Sequence, residues 1–268
     1  ENEKSVFDLN ADIARQLSKT RQEKRKDQSD PDLRTEIRNL AGIRSPAKIP
    51  VPRMEDIGRV HRDEYHIDKL VLHTDSEIPL PGLTFHPKVP QDSAYLYLTD
   101  EGKTGDGQPQ GPIEDLVNDG YAVVTLDMRG QGETRTEVRD ELLGDWKLFY
   151  LAYLQGKTLV GPRTEDAISG AKFIANYALQ TDEKRKVHLV GVGQAGIVAL
   201  HAAAIHPDLF ATVTIKNAPQ SWTNIVGDQN AQGQLDSIVN GALQVYDLPD
   251  LVRLAGGADK VKFETTKD

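Results

Sequence analysis

The chain has 268 residues, of which 38% are hydrophobic and 27% are charged, and its formal net charge is −9. This length predicts one sizeable domain with an appendage, and the negative charge argues against nucleic acid or an anionic membrane as a partner. The absence of cysteine excludes disulfides, thiolate nucleophiles and cysteine-ligated metal sites. No apolar run approaches the roughly 20 residues that a membrane-spanning helix needs.

The start of the chain predicts a helical arm followed by a proline-rich connector, together spanning residues 1–55. Residues 6–28 form an amphipathic pattern, because apolar side chains recur near helical spacing from Val6 onward. The basic end of this helix, residues 19–26, is interpreted as a solvated last turn that complements the helix dipole. A second helix begins at Pro31.

Residues 56–268 predict an α/β domain with a mainly parallel sheet, an antiparallel N-terminal edge and helices on both faces. The antiparallel strands are expected at Arg59–His66, Asp68–His73 and Ile78–Phe85. The following strands are expected at Ala94–Leu98, Tyr121–Leu126, Val187–Val190, Ala211–Ile215 and 261–265, and the helices between them at Ile113–Asp119, 163–179 and Ala195–Ile205.

The most informative segment is a glycine turn between a buried strand and an alanine-rich helix. Gly191, Gly193 and Gly196 match G-x-G-x-x-G, which predicts a dinucleotide whose pyrophosphate lies on the helix N-terminus. Several strands precede this turn, and the next strand ends at Lys216-Asn217 where a ribose-binding site has Asp or Glu. Dinucleotide binding therefore remains an alternative and not the leading hypothesis.

The same turn also matches the nucleophile elbow G-x-S-x-G, with Gly191 and Ala195 at the small flanking positions and Gly193 in place of the serine. The strand Tyr121–Leu126 runs into Asp127-Met-Arg-Gly-Gln-Gly, which is similar to the D-x-R-G-x-G loop of α/β-hydrolases. Over residues 57–255 the chain resembles the acetyl xylan esterase-like α/β-hydrolases, including Ser-less domains that stand beside active ones in secreted bacterial esterases. The resemblance implies an esterase fold for acylated sugars, a Ser-Asp-His triad and an extracellular or periplasmic location.

The triad that this family implies does not map onto the chain. Gly193 cannot be acylated, and none of the seven histidines follows His206, although the triad histidine comes last in chain order. Asp268 is the possible acid position, and the family's last strand, with the loop that carries its histidine, is expected to be missing from these residues.

The leading hypothesis is therefore a catalytically degenerate accessory, binding or structural module linked to carbohydrate-ester metabolism. Its expected partners are an active esterase domain or another subunit, and a carbohydrate. The alternatives are an active esterase with unconventional or partner-supplied catalytic groups, and the dinucleotide-binding protein. No cofactor and no metal is expected.

A possible pocket is predicted at the carboxyl ends of the strands. Two carboxylates, Asp100 and Glu101, follow the strand Ala94–Leu98 and are interpreted as a solvated acidic turn, and Asp127 is expected to pair with Arg129. The possible pocket residues are Asp100, Glu101, Asp127, Arg129, Gly193, Gln194 and Trp222.

Two further groups of side chains have a structural and a functional interpretation. His188 lies on a buried strand, where a hydrogen-bonded structural histidine is expected. An aromatic stripe at helical spacing predicts core packing, with a sugar-stacking platform as the alternative. The stripe consists of Trp146, Phe149, Tyr150 and Tyr153.

Overall fold

The computed structural model describes residues 4–75, 77–135, 146–177, 183–231 and 233–265. In these residues eight strands form one sheet in the order β1-β2-β3-β5-β4-β6-β7-β8. The first three strands and the β3–β5 pair are antiparallel, and the remaining pairs are parallel. The strands are β1 (Arg53–His61), β2 (Tyr65–His73), β3 (Pro79–Pro87), β4 (Ser93–Leu98), β5 (Ala122–Leu126), β6 (Lys186–Val192), β7 (Phe210–Lys216) and β8 (Val261–Glu264).

The helices lie on both faces of this sheet, so the predicted fold class is confirmed. The main core lies between one face and α2, α5, α6 and α9, with Leu33, Ile168 and Leu251 among its members. A smaller core lies under α3 on the other face and includes Ile113. The helices are α1 (Val6–Arg25), α2 (Asp30–Ala41), α3 (Pro112–Asn118), α4 (Trp146–Leu154), α5 (Val160–Asn176), α6 (Ala195–Ile205), α7 (Trp222–Gly227), α8 (Ala242–Val245) and α9 (Leu248–Ala255).

The first predicted strand is wrong. Residues 59–66 contain the hairpin turn between β1 and β2, and the amide of Arg62 donates to the carbonyl of Tyr65 across that turn. The turn residues 62–64 are all charged, with no glycine, proline or asparagine to mark a break. β1 begins at Arg53, inside the predicted connector, and its side chains are exposed along an edge, so it carries no burial periodicity.

The N-terminal arm packs differently from the prediction. The apolar face of α1 that begins with Val6 and Ile13 is exposed, whereas Arg21 in the basic end is buried and donates to the Leu243 carbonyl. Arg25 donates to the Asp250 carboxylate and to the carbonyl of Val245, the last residue of α8. The interpretation of the basic end as a solvated turn is therefore wrong for both arginines. The division into residues 1–55 and 56–268 stays a prediction.

No helix in the described ranges is long and apolar enough to span a membrane.

Candidate active site

The glycine turn between β6 and α6 is built by close packing. A Cβ on Gly191 would approach the Cα of Gly196 and the Cβ of Ala199 to 2.7 Å, and a Cβ on Gly196 would approach that of Ala218 to 2.7 Å. Real Cβ atoms do not come that near, so strand and helix can cross here only with glycine at both positions. Contact between β6, α6 and the end of β7 thus accounts for these two glycines without a ligand.

The apex of the turn is Gly193, whose φ of +62° lies in the left-handed region that favours glycine. The carboxylate of Asp100, from the turn after β4, fills the space beside it, because a Cβ on Gly193 would overlap Asp100 Oδ2. The amide of Gln194 donates to Oδ2 at 2.8 Å, and the amide of Ala195 donates to Oδ1 at 2.6 Å. One carboxylate therefore binds both free amides at the start of α6.

The acidic turn is solvated only in part. Glu101 is exposed as predicted, but Asp100 is half-buried against the elbow, so the interpretation is wrong for that residue. Burial raises the pKa of the Asp100 carboxyl, and the two amide hydrogen bonds oppose the shift. The same amides attract the carboxylate because they lie at the positive end of the helix dipole.

The position of Asp100 bears on both ligand hypotheses for this turn. In a nucleophile elbow, the amide after the nucleophile helps to hold the oxyanion, and here that amide belongs to Gln194. In a dinucleotide site, amides at the helix N-terminus bind the pyrophosphate. The Asp100 carboxylate occupies these donors in both cases, and a second anion would have to displace it.

A cavity of about 20 Å³ adjoins the carboxylate. This volume holds about one water molecule and no sugar. Two of the seven predicted pocket residues, Asp100 and Gln194, line this cavity. The other five do not: Glu101, Asp127, Arg129, Gly193 and Trp222. The lining residues are Asp100, Gly130, Gln131, Arg135, Arg163, Gln194 and Asp236.

Asp127 organises the loop after β5 instead of facing the cavity. It is buried and forms an ion pair with Lys103, whose amide donates to Asp127 Oδ1 at 2.7 Å. The amide of Glu133 donates to Oδ2 at 3.0 Å. A Cβ on Gly132 would overlap this carboxylate, which explains the second glycine of the loop motif. The predicted Asp127–Arg129 pair is therefore wrong, because amides and Lys103 already satisfy Asp127.

Arg129 pairs instead with Asp166, a fully buried residue of α5. Arg129 Nε donates to Asp166 Oδ2 at 2.9 Å, its other guanidinium nitrogen donates to Oδ1, and its amide donates to Oδ2 at 3.0 Å. The buried Arg163 then donates to the Arg129 carbonyl at 3.1 Å and forms an ion pair with Asp236 at 3.4 Å. This charged network fixes the wall of the small cavity.

The histidines nearest the elbow are held by other contacts. His201 is fully buried, with Nε2 2.7 Å from the Tyr246 hydroxyl and Nδ1 2.7 Å from the Ile197 carbonyl. His188 Nδ1 lies 2.7 Å from the hydroxyl of Thr212, as expected of a structural histidine.

Two predicted positions do not contribute to the cavity wall. Trp222 packs on His201 and Tyr246, so its predicted place beside the pocket is wrong. Asp268, the possible acid position, lies outside the described residues.

The aromatic stripe of α4 does not pack in the core, contrary to the prediction. Trp146, Tyr150 and Tyr153 are exposed over 38%, 47% and 49% of their surface, and no residue of the helix is buried. Phe149 stacks on Tyr153 with a 6.0 Å separation of ring centroids, and Trp146 meets Tyr150 edge-on at 6.2 Å. The helical periodicity predicts a buried face, but the stripe forms an exposed aromatic surface.

Sequence reasoning missed Arg163 and Asp236 in the cavity wall. The sequence indicates only that Arg163 begins a predicted helix, and Asp236 lies in a segment without strand or helix periodicity. A buried arginine does carry a usable signal, because it requires an acidic partner.

The comparisons with known proteins agree with this architecture. A family model described as the alpha/beta hydrolase fold matches residues 102–250, more than half of the chain. The chain therefore belongs to the α/β-hydrolase fold family. A comparison with curated protein sequences gives no significant match.

Among solved structures, the chain is similar to a candidate acetyl xylan esterase from Bacteroides fragilis NCTC 9343, with a TM-score of 0.63, 14% identity and coverage of 90% of this chain and 77% of that one. It is also similar to acetyl xylan esterase 1 from Thermoanaerobacterium sp. JW/SL YS485, with a TM-score of 0.57, 14% identity and coverage of 90% and 92%. A third similar structure is the acetyl xylan esterase from Paenibacillus sp. R4, with a TM-score of 0.51, 13% identity and coverage of 100% of this chain and 89% of that one. At identities this low, the TM-scores show a shared fold. They confirm the acetyl xylan esterase-like resemblance at the level of the fold.

Proposed function

We propose that this chain is a catalytically degenerate α/β-hydrolase-fold protein that serves as an accessory or binding module in carbohydrate-ester metabolism. One observation supports this most directly: the Asp100 carboxylate lies on the amides of Gln194 and Ala195, beside a glycine at the nucleophile position. The loss of the serine is thus accompanied by occupation of the site where its chemistry takes place.

Electrostatics strengthen the proposal. Acyl transfer requires donors directed at the oxygen on which negative charge develops, and removal of one such donor slows catalysis about 10²- to 10³-fold. Here an acidic side chain occupies those donors, so a developing oxyanion would meet a carboxylate in place of an N–H group. The pair His201–Tyr246 is buried and self-contained, and it offers no general base to the elbow.

A fluorophosphonate probe and p-nitrophenyl acetate test the lack of serine-type catalysis. We expect no covalent adduct and no hydrolysis above that of a Gly193→Ala variant, with or without an added acetyl xylan esterase. Activity that disappears on substitution of a single residue of this chain would overturn the proposal and favour an active esterase with unconventional groups. Activity that requires both the chain and its partner would favour partner-supplied groups.

We propose the aromatic surface of α4 as the part of this module that contacts carbohydrate. Exposed aromatic rings offer flat apolar faces on which a sugar ring can stack, and Trp146, Tyr150 and Tyr153 present such rings away from the core. The cavity beside the elbow is too small for a sugar, so it is not the carbohydrate site of this proposal. Together with an active esterase domain or subunit as partner, in an extracellular or periplasmic setting, this surface would hold the module on its polysaccharide.

Replacing Trp146 and Tyr150 with alanine is expected to abolish retardation of the protein in affinity electrophoresis on acetylated xylan. Because both side chains are exposed, the free energy of unfolding should change by less than about 0.5 kcal/mol for each. The matched control is Phe7→Ala, which removes an exposed aromatic side chain from α1 and should leave the retardation unchanged. Absence of retardation of the unmodified protein, or equal retardation of the double variant, would contradict the carbohydrate role.

A further inference from the structure

A row of histidines crosses the antiparallel edge of the sheet. His61 of β1 pairs with His66 of β2, and His66 pairs with His86 of β3. Asp68 lies two residues beyond His66 and therefore points to the same face of β2. Because Phe85 pairs with Val123 near the start of β5, this row lies at the level of the amino ends of the parallel strands, whereas the elbow lies at their carboxyl ends.

Three of these side chains converge. His66 and His86 stack with ring centroids 4.7 Å apart, and the ligand-bearing atoms of His66, Asp68 and His86 all lie within 4.8 Å of one another. His86 Nε2 is buried and has no hydrogen-bond partner among the residues that the structure describes, although Asp68 Oδ2 is only 3.3 Å away. His66 Nε2 lies 3.9 Å from the same oxygen. A buried ring nitrogen without a partner is costly and calls for a physical explanation.

We propose that His66, Asp68 and His86 bind a divalent transition-metal ion of the Zn²⁺ class, and that this ion ties β2 to β3 at the sheet edge. Two imidazoles and one carboxylate form a ligand set that such ions use, and water completes the coordination. Around a tetrahedral ion with bonds of about 2.0–2.1 Å, neighbouring ligand atoms are roughly 3.3 Å apart. The His86–Asp68 separation already has this value. The ring of His66 lies within 15° of parallel to that of His86, and it has to turn out of this stack for its in-plane lone pair to point at the same ion.

The surroundings of the three ligands are compatible with a metal of moderate affinity. Arg59 donates to both oxygens of Asp68, with Nη2 3.0 Å from Oδ2, and it would keep its contact with Oδ1 as an outer-shell partner. Burial lowers the pKa of His86 to about 4, so its ring is neutral at pH 7 and its lone pair is available. Arg59 and Arg185 both place positive charge near His86, and we therefore expect weaker binding than the same three ligands would give without these charges.

The test is a titration of the tag-free, EDTA-treated full chain with Zn²⁺ by calorimetry and with Co²⁺ by visible absorption. One ion per chain is expected, with the absorption of a Co²⁺ ion bound to nitrogen and oxygen ligands. The variants H66A and D68N should each weaken binding at least tenfold. The matched control is H73A, because His73 of β2 pairs with Glu55 of β1 at 2.6 Å and belongs to no three-ligand group within the described ranges.

Thermal unfolding supplies a second, independent readout. Zn²⁺ at 100 times its dissociation constant should stabilise the unmodified chain and H73A by about 2.7 kcal/mol, and H66A by far less. The circular dichroism spectrum in EDTA shows whether each variant is folded, and H86Q is measured in place of H66A if H66A is not. No stoichiometric binding by the unmodified chain, or equal binding by H66A, D68N and H73A, would overturn the proposal.

Discussion

Replacing Gly193 with serine is expected to destabilise the protein by about 2–5 kcal/mol. A non-glycine residue in the left-handed region costs roughly 1–2 kcal/mol, and overpacking against a neighbour adds about 1–3 kcal/mol. Both apply at this position, because φ is +62° and a Cβ would overlap Asp100 Oδ2. The measurement is the free energy of unfolding in urea, with a sufficient pre-transition baseline for the destabilised variant.

A double-mutant cycle separates the two contributions. In the background of Asp100→Ala, the same serine should cost about 1–3 kcal/mol less, because the overlap is gone and only the backbone strain remains. Gly257→Ser is the matched control, since Gly257 has a φ of +73° and no atom within 4 Å of an added Cβ. The Gly257→Ser variant should therefore be destabilised only by the backbone strain.

Additive effects of the serine and the Asp100 substitution would show that the two positions are not coupled, and that the carboxylate does not exclude a nucleophile. Coupling of the expected size would mean that a simple reversion of Gly193 cannot rebuild the elbow. Two positions, 93 residues apart in the chain, would then have to change together.

The elbow illustrates how far the sequence leads. The spacing of Gly191, Gly193 and Gly196 between a strand and a helix predicts the turn, because close strand–helix contact restricts these positions to the smallest residue. The fold class follows from the alternation of buried strands and helices for the same local reason. Local spacing does not predict the hydrogen bonds of Asp100 to the amides of Gln194 and Ala195. These residues are distant from Asp100 in sequence and become its neighbours only through the pairing of β4 with β6.

Charged side chains show the same division between local and distant information. The sequence places Asp127 and Arg129 in one loop, which favours a local pair, but each has a partner from another element. The predictions that the apolar faces of α1 and α4 would be buried are wrong for a related reason. Periodicity identifies an apolar face of a helix, but only the tertiary structure determines whether another element covers it.

The second large effect is expected at the Arg129–Asp166 pair. Replacing Asp166 with alanine should lower the free energy of unfolding by about 3–5 kcal/mol, because it leaves a guanidinium largely buried without its carboxylate. Asp166 accepts from the side chain and the amide of Arg129, so the loop after β5 loses these hydrogen bonds and keeps the one that Arg163 of α5 donates to the Arg129 carbonyl.

The double variant Arg129→Met with Asp166→Leu distinguishes pairing from packing. Apolar residues of similar size in place of a buried ion pair are often nearly neutral, so the double variant should be more stable than the single alanine variant. The control is Asp30→Ala, which breaks an exposed pair with Arg253 and should cost less than about 1 kcal/mol. If Asp166→Ala cost no more than this control, the pair would not hold the cavity wall. A large decrease in the free energy of unfolding of the single variant, with a small decrease in the double variant, would show that the pair is needed because each buried charge requires a partner. The pair would then stabilise the cavity wall at a site where the described residues include no catalytic group to position.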